Sequence, residues 1–128
     1  MHQNRATIDR YFAAIGRLDR EAWVACFAQE GFAHDPADAP ARRGPDAHRA
    51  FFDAIASLFT ELEFRVESAH SCGDRSAVVF SARALAKTGR RAEARGVDLF
   101  TFDPQGLIVR LDGFWDPSPL FAAAAPAN

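Results

Sequence analysis

The sequence predicts an α+β fold, with three N-terminal helices packed on one face of a curved, mostly antiparallel sheet. Three observations carry this. Apolar residues recur at helical spacing through roughly the first sixty positions, β-branched and aromatic runs replace them from Glu63 onward, and glycine-bearing turns separate those runs.

The first helix is set by Ile8, Tyr11, Phe12, Ile15 and Leu18, which line one side of a 3.6-residue period, with Gly16 near its end. Asp19 is placed to cap a second helix, "REAWVACFAQE", with Trp23 and Phe27 on its apolar side and Gly31 as its stop. The third, "GPDAHRAFFDAIASLF", starts with Pro45 in its first turn and buries Phe51, Phe52, Ile55, Leu58 and Phe59. Four strands follow, "FRVESAH", "SAVVFSARALA", "RRAEARGVDLFTF" and "LIVRLDGFWD", joined through "SCGD", "KTGR" and "DPQG". The low-complexity end, residues 118–128, is expected to fray.

At 128 residues the chain is long enough for one domain, 1–128, with a sizeable core and too short for two. Its net charge is −2, and its fifteen Lys and Arg are scattered, so no footprint for nucleic acid is visible. Cys26 and Cys72 fit neither a disulfide framework nor a metal-ligand spacing, and read as free thiols of a reducing compartment. His2, His34, His48 and His70 share no helical or strand spacing, which argues against a metal site. The polar N-terminal stretch carries no signal-peptide pattern and no segment approaches transmembrane length, so a cytoplasmic protein without a membrane partner is expected.

Three polar residues stand out. Tyr11 interrupts the apolar side of the first helix, and a buried phenol needs a partner for its hydroxyl; a core tyrosine bonded to a backbone carbonyl would satisfy that as well as a functional one. Strand alternation puts Asp98 on one face with Ala94, Gly96, Phe100 and Phe102, the only charged group there. Burial would favour its neutral form and let it donate a hydrogen bond, unless a bulge shifts the register or Arg83 pairs with it. Asp35 ends the short run "GFAHD", and Pro36 after it favours extended backbone; read locally, "DP" is a turn.

The order of these residues carries a resemblance. A helix-borne tyrosine in "RYFAAIGRLD", an Asp-Pro with a glycine nine residues past the Asp in "DPADAPARRG", and the late strand "VDLFTFDPQGLIVRLDGFW" resemble the bacterial ketosteroid isomerases, within the nuclear transport factor 2-like and SnoaL-like superfamily. The resemblance spans about Arg10 to Asp116 and implies a cone-shaped α+β barrel, no cofactor, a hydrophobic small-molecule substrate and a homodimer. It implies that Asp35 is the general base, that Tyr11 and a protonated Asp98 donate to the substrate oxyanion, and that Trp115 lines the cavity. Phe27, Phe52 and Phe100 are expected around the substrate, Phe27 and Phe52 where some members carry tyrosines that extend the network of Tyr11. Arg83, on a face the family fills with apolar residues, would either reach the cavity and suit a more polar substrate or turn outward.

The resemblance implies an enzyme that shifts a carbon–carbon double bond in a 3-oxo-Δ5-steroid or a similar hydrophobic ketone. Enolate chemistry needs one base near carbon and donors at the oxygen where charge develops. Two other readings use the same pocket, a polyketide cyclase-like or epoxide hydrolase-like enzyme, and a non-catalytic small-molecule-binding module.

Overall fold

The computed structural model of the protein describes residues 2–126. Its elements run α1 (His2–Gly16), α2 (Arg20–Val24), β1 (Phe27–His34), β2 (Arg42–Arg43), α3 (Pro45–Ala56), β3 (Phe59–Cys72), β4 (Arg75–Ala86), β5 (Arg91–Phe102), β6 (Ile108–Trp115) and α4 (Ser118–Ala124). The six strands form one sheet in the order β2-β1-β6-β5-β4-β3. Consecutive strands from β3 to β6 pair antiparallel, while β1 enters beside β6 as a parallel neighbour.

Helix α1 lays Ile8, Tyr11, Phe12 and Ile15 against the concave face of the sheet, as its period requires. Asp19 caps α2, its carboxylate accepting from the Ala22 N–H at 3.2 Å. In β4 the even positions Ser76, Val78, Phe80, Ala82, Ala84 and Ala86 are buried and the odd ones face outward, a strict period of two. The same alternation buries Ala94, Asp98, Phe100 and Phe102 in β5.

The second helix is much shorter than its sequence suggests. It ends at Val24, and Phe27–Glu30 belong to β1, where Ile108 N–H donates to Cys26 O at 2.9 Å and Phe27 lies opposite Ile108. Pairing with β6 overrides the local helical pattern, because it gives the backbone at the start of this stretch partners on the neighbouring strand. Gly31 is therefore not a helix stop. It lies where the β1–β6 register slips, and a Cβ on it would collide with Ile108 O, so the backbones approach too closely for any side chain. Likewise Leu58 and Phe59 fall outside the third helix, Phe59 opening β3.

The expected frayed end is also corrected. Residues 118–124 form α4, which buries Leu120 and Ala123 against the sheet and is tied down by Thr88 Oγ1, which donates to Ala123 O at 2.6 Å. Two apolar side chains one helical turn apart anchor a stretch whose composition reads as low complexity. Ala127 and Asn128 lie outside the described residues.

Both cysteines are free, Cys26 buried with its thiol pushed up to about 11 by that burial. Among the described residues no helix is long and apolar enough to cross a membrane.

Candidate active site

Tyr11, Asp35 and Asp98 come from three separated elements and line one cavity. Its remaining wall is apolar: Phe12 and Ile15 of α1, Trp23, Phe51 and Ile55 from the other helices, Leu62, Phe64, Phe80, Ala82 and Trp115 from the sheet, and Leu120 of α4. The partly exposed Phe51, Ile55, Phe64 and Trp115 mark the mouth. The cavity volume is about 60 Å³, so it is narrow inside.

The two carboxyls are brought together by register. β1 runs beside β6 with His34 opposite Asp112, so Asp35 emerges next to Gly113. On the other side of β6, Asp98 is the direct partner of Gly113. A Cβ on Gly113 would sit against Asp35 Oδ1 and only 3.1 Å from Asp98 Oδ1, so the hydrogen side chain is what leaves room for both acids. Two positions further along the same face of β6, Trp115 Nε1 donates to Asp35 Oδ1 at 2.6 Å. His34 turns away, its Nδ1 meeting Ala39 O at 2.9 Å.

Burial decides the charge states. Asp98 is 4 % exposed, and desolvation holds its carboxyl well above the usual carboxylate range, the charge of Asp35 adding to the effect. Asp35 is also raised by burial, but the Arg42 guanidinium and the Trp115 indole both favour its anion. Tyr11 is raised by burial and then by the two acids, so it stays a phenol and a donor. The site can therefore offer one ionisable carboxylate and two neutral O–H donors within an apolar cavity.

The aromatic residues expected around a substrate are placed one layer behind the wall. Phe100 meets the Tyr11 ring edge-on at 5.3 Å between centroids, Phe27 does so at 6.1 Å, and Phe52 packs on Trp23 at 5.6 Å; the lining role on α3 falls to Phe51. Arg83 is a correction. It occupies an odd, outward position of β4, exposed and paired with Glu93 at 3.2 Å, because the alternation continues through it without a bulge.

Arg42 was not foreseen. It stands on β2 opposite Ala33 with its side chain only 12 % exposed, its Nη1 3.8 Å from Asp35 Oδ2 and its Nε donating to His48 Nδ1 at 3.0 Å. In the sequence it is half of a polar "RR" pair in a loop-like stretch, and nothing local separates it from Arg43, which faces outward over Phe32. Gly113 was equally hidden, since a glycine in a strand signals close approach only once its neighbours are known. Among the described residues no group of three or more His, Cys, Asp or Glu is placed to hold a metal ion.

Comparison with known proteins agrees with this architecture. A steroid Δ-isomerase of Nocardioides simplex is 26% identical over 125 residues, covering 94% of this chain and 96% of its own. The crystal structure of the Δ5-3-ketosteroid isomerase from a Mycobacterium species superposes with a TM-score of 0.79 at 25% identity, covering 91% of this chain and 95% of that one. A Mycobacterium tuberculosis protein solved in complex with estradiol-17β-hemisuccinate has the same TM-score and identity, over 91% of this chain and 96% of its own. The model of the SnoaL-like domain matches residues 8–111, most of the chain's length, and the chain belongs to the SnoaL-like domain family.

Proposed function

We propose that the protein is a cofactor-independent isomerase that moves a carbon–carbon double bond in a 3-oxo-Δ5-steroid or a similar hydrophobic ketone. The observation that carries this is the meeting of Asp35, Tyr11 and Asp98 in one apolar cavity, the last two held neutral by burial while Arg42 and Trp115 oppose the effect of burial on the first.

In the reaction, Asp35 takes a proton from the carbon between the ketone and the double bond. The electron pair left behind delocalises onto the ketone oxygen, where Tyr11 and Asp98 donate hydrogen bonds to the dienolate. Asp35, now a neutral acid, returns the same proton two carbons further along, and the double bond ends conjugated to the ketone. Atoms and charge balance without any other reactant, which suits a cavity lined by no further titratable group. The wall of Phe51, Ile55, Phe64, Phe80 and Leu62 supplies apolar contact for the substrate skeleton, with side chains at the mouth turning aside to admit a ring system.

Arg83 in the cavity would have added weight to the cyclase-like and epoxide hydrolase-like reading of the same pocket, and Arg83 instead faces outward, paired with Glu93. A second copy of the chain is the partner we expect on the outer sheet face, where Leu99 and Phe114 are 39% and 53% exposed; sedimentation that gives a monomer mass would exclude it.

The test is the growth of conjugated-enone absorbance from a 3-oxo-Δ5-steroid. Asp35→Asn should slow turnover by several orders of magnitude while circular dichroism stays that of the parent. Equal rates for parent and variant would refute the mechanism.

A further inference from the structure

Arg42 is a buried cation that does not line the cavity, so a substrate contact does not explain it. Its surroundings hold it rigidly. The guanidinium lies over Phe51 at 3.9 Å and Trp23 at 5.2 Å, and its Nε–H is taken by His48 Nδ1. His48 Nε2 meets Gly31 O at 3.1 Å; a carbonyl only accepts, so that nitrogen carries the hydrogen and Nδ1 is free to accept. Burial brings the His48 pKa down to about 4, which keeps this neutral tautomer across physiological pH.

One end of the guanidinium is thus fixed and the other is not. Nη1 stands 3.8 Å from Asp35 Oδ2, too long for a hydrogen bond, Nη2 is buried without a well-formed hydrogen bond, and the Tyr11 phenol lies close to the same guanidinium. Burying a guanidinium with an unused donor is costly, and the fold nevertheless builds an aromatic and imidazole frame to hold it beside Asp35.

We propose that Arg42, locked by His48, is a positioning residue that acts on both acids but makes its 3.8 Å contact with Asp35, and so favours Asp35 over Asp98 as the base of the pair. The proposal rests on the isomerase reading and assigns how its two acids are told apart. The groups facing Asp35 are Arg42 from β2, Trp115 from β6, Tyr11 from α1 and Asp98 from β5, and Arg42 is the sole cation among them. The loose 3.8 Å contact matters too. A bidentate pair would clamp the carboxylate, whereas a charge at this distance favours the anion and still lets Asp35 swing between the two carbons it must serve.

The test reads the acids directly. Protein labelled with 13C at the aspartate carboxyls is titrated by NMR, with Asp35→Asn and Asp98→Asn assigning the two signals. Arg42→Met should move the Asp35 midpoint to higher pH, and Arg42→Lys should return it toward the parent. The acid limb of kcat/KM should move the same way, with about a tenfold or greater loss at pH 6 that recovers at high pH and a smaller change in KM. If Arg42→Met proves unfolded, His48→Phe, which leaves the guanidinium in place and removes the acceptor of its Nε together with the Nε2–H bond to Gly31 O, should move the midpoint in the same direction. An Asp35 midpoint unchanged in a folded Arg42 or His48 variant would overturn the proposal. The NMR arm needs no substrate, so a protein inactive on steroid ketones would defeat the functional reading while this one is still decided.

Discussion

Replacing Asp98 by asparagine should make the protein more stable at neutral pH, by an amount that grows as pH rises. In the unfolded chain an aspartate ionises near 3.9, whereas in the fold desolvation and the charge of Asp35 hold the Asp98 proton on to much higher pH. Over that window the native state binds one more proton than the unfolded state. Stability from this group is therefore complete below the unfolded midpoint and is lost as pH rises toward the folded one, with a slope of about 1.4 kcal/mol per pH unit. Asparagine matches the neutral acid in shape, keeps a donor, and has no proton to lose. For 128 residues at about 2.1 cal/mol/K each, the entropy of unfolding is about 0.27 kcal/mol/K, so each pH unit inside the window separates the two Tm values by about 5 °C. Thermal unfolding of both proteins at pH 5, 6, 7 and 8 measures this. Parallel Tm curves would mean that Asp98 is already ionised in the fold, and the assignment of a neutral acid to the cavity would fail.

Two further outcomes follow from the packing. Gly113→Ala puts a methyl group against Asp35 Oδ1 and 3.1 Å from Asp98 Oδ1, so it should cost about 1–3 kcal/mol in urea denaturation and, by displacing the base, lower kcat about a hundredfold. Leu120→Ala removes a side chain that fills the cavity from α4; titration calorimetry with a wide phenolic ligand should show tighter binding, and a loss of about 2 kcal/mol in stability should accompany it.

Much of this fold was legible because the decisive patterns are local. The period of α1 and the alternation of β5 each mark a polar residue on an apolar face, and Tyr11 and Asp98 are buried where those periods put them. Asp35 could be placed only through its companions, since "DP" taken alone is a turn. What stayed hidden depends on pairings distant in sequence. The parallel β1–β6 contact turns the end of an apparent helix into a strand, and a two-residue β2 buries one arginine of "RR" while exposing the other. No periodicity exists over two residues, so Arg42 had no signal to give. Arg83 stayed undecided for a related reason, because comparing its face with that of a family left open whether a bulge intervened, and the unbroken β4–β5 register shows none there.

The separation of the two acids is the point where fold and chemistry meet. Burial alone would push both Asp35 and Asp98 toward the neutral form and leave the cavity without a base. Two contacts break the symmetry, the Trp115 indole at 2.6 Å and the Arg42 guanidinium at 3.8 Å, and both are made to Asp35; the Arg42 charge also reaches Asp98, where burial and the charge of Asp35 outweigh it. Once Asp35 is the anion, its own charge raises Asp98 further, so the arrangement reinforces itself: the base keeps the acid protonated. The same asymmetry explains why the fold tolerates a buried acid at Asp98 that lowers stability as pH rises. A neutral carboxylic acid and a phenol are strong donors that carry no charge of their own, so they can meet a developing oxyanion without first attracting water or a counter-ion into the cavity.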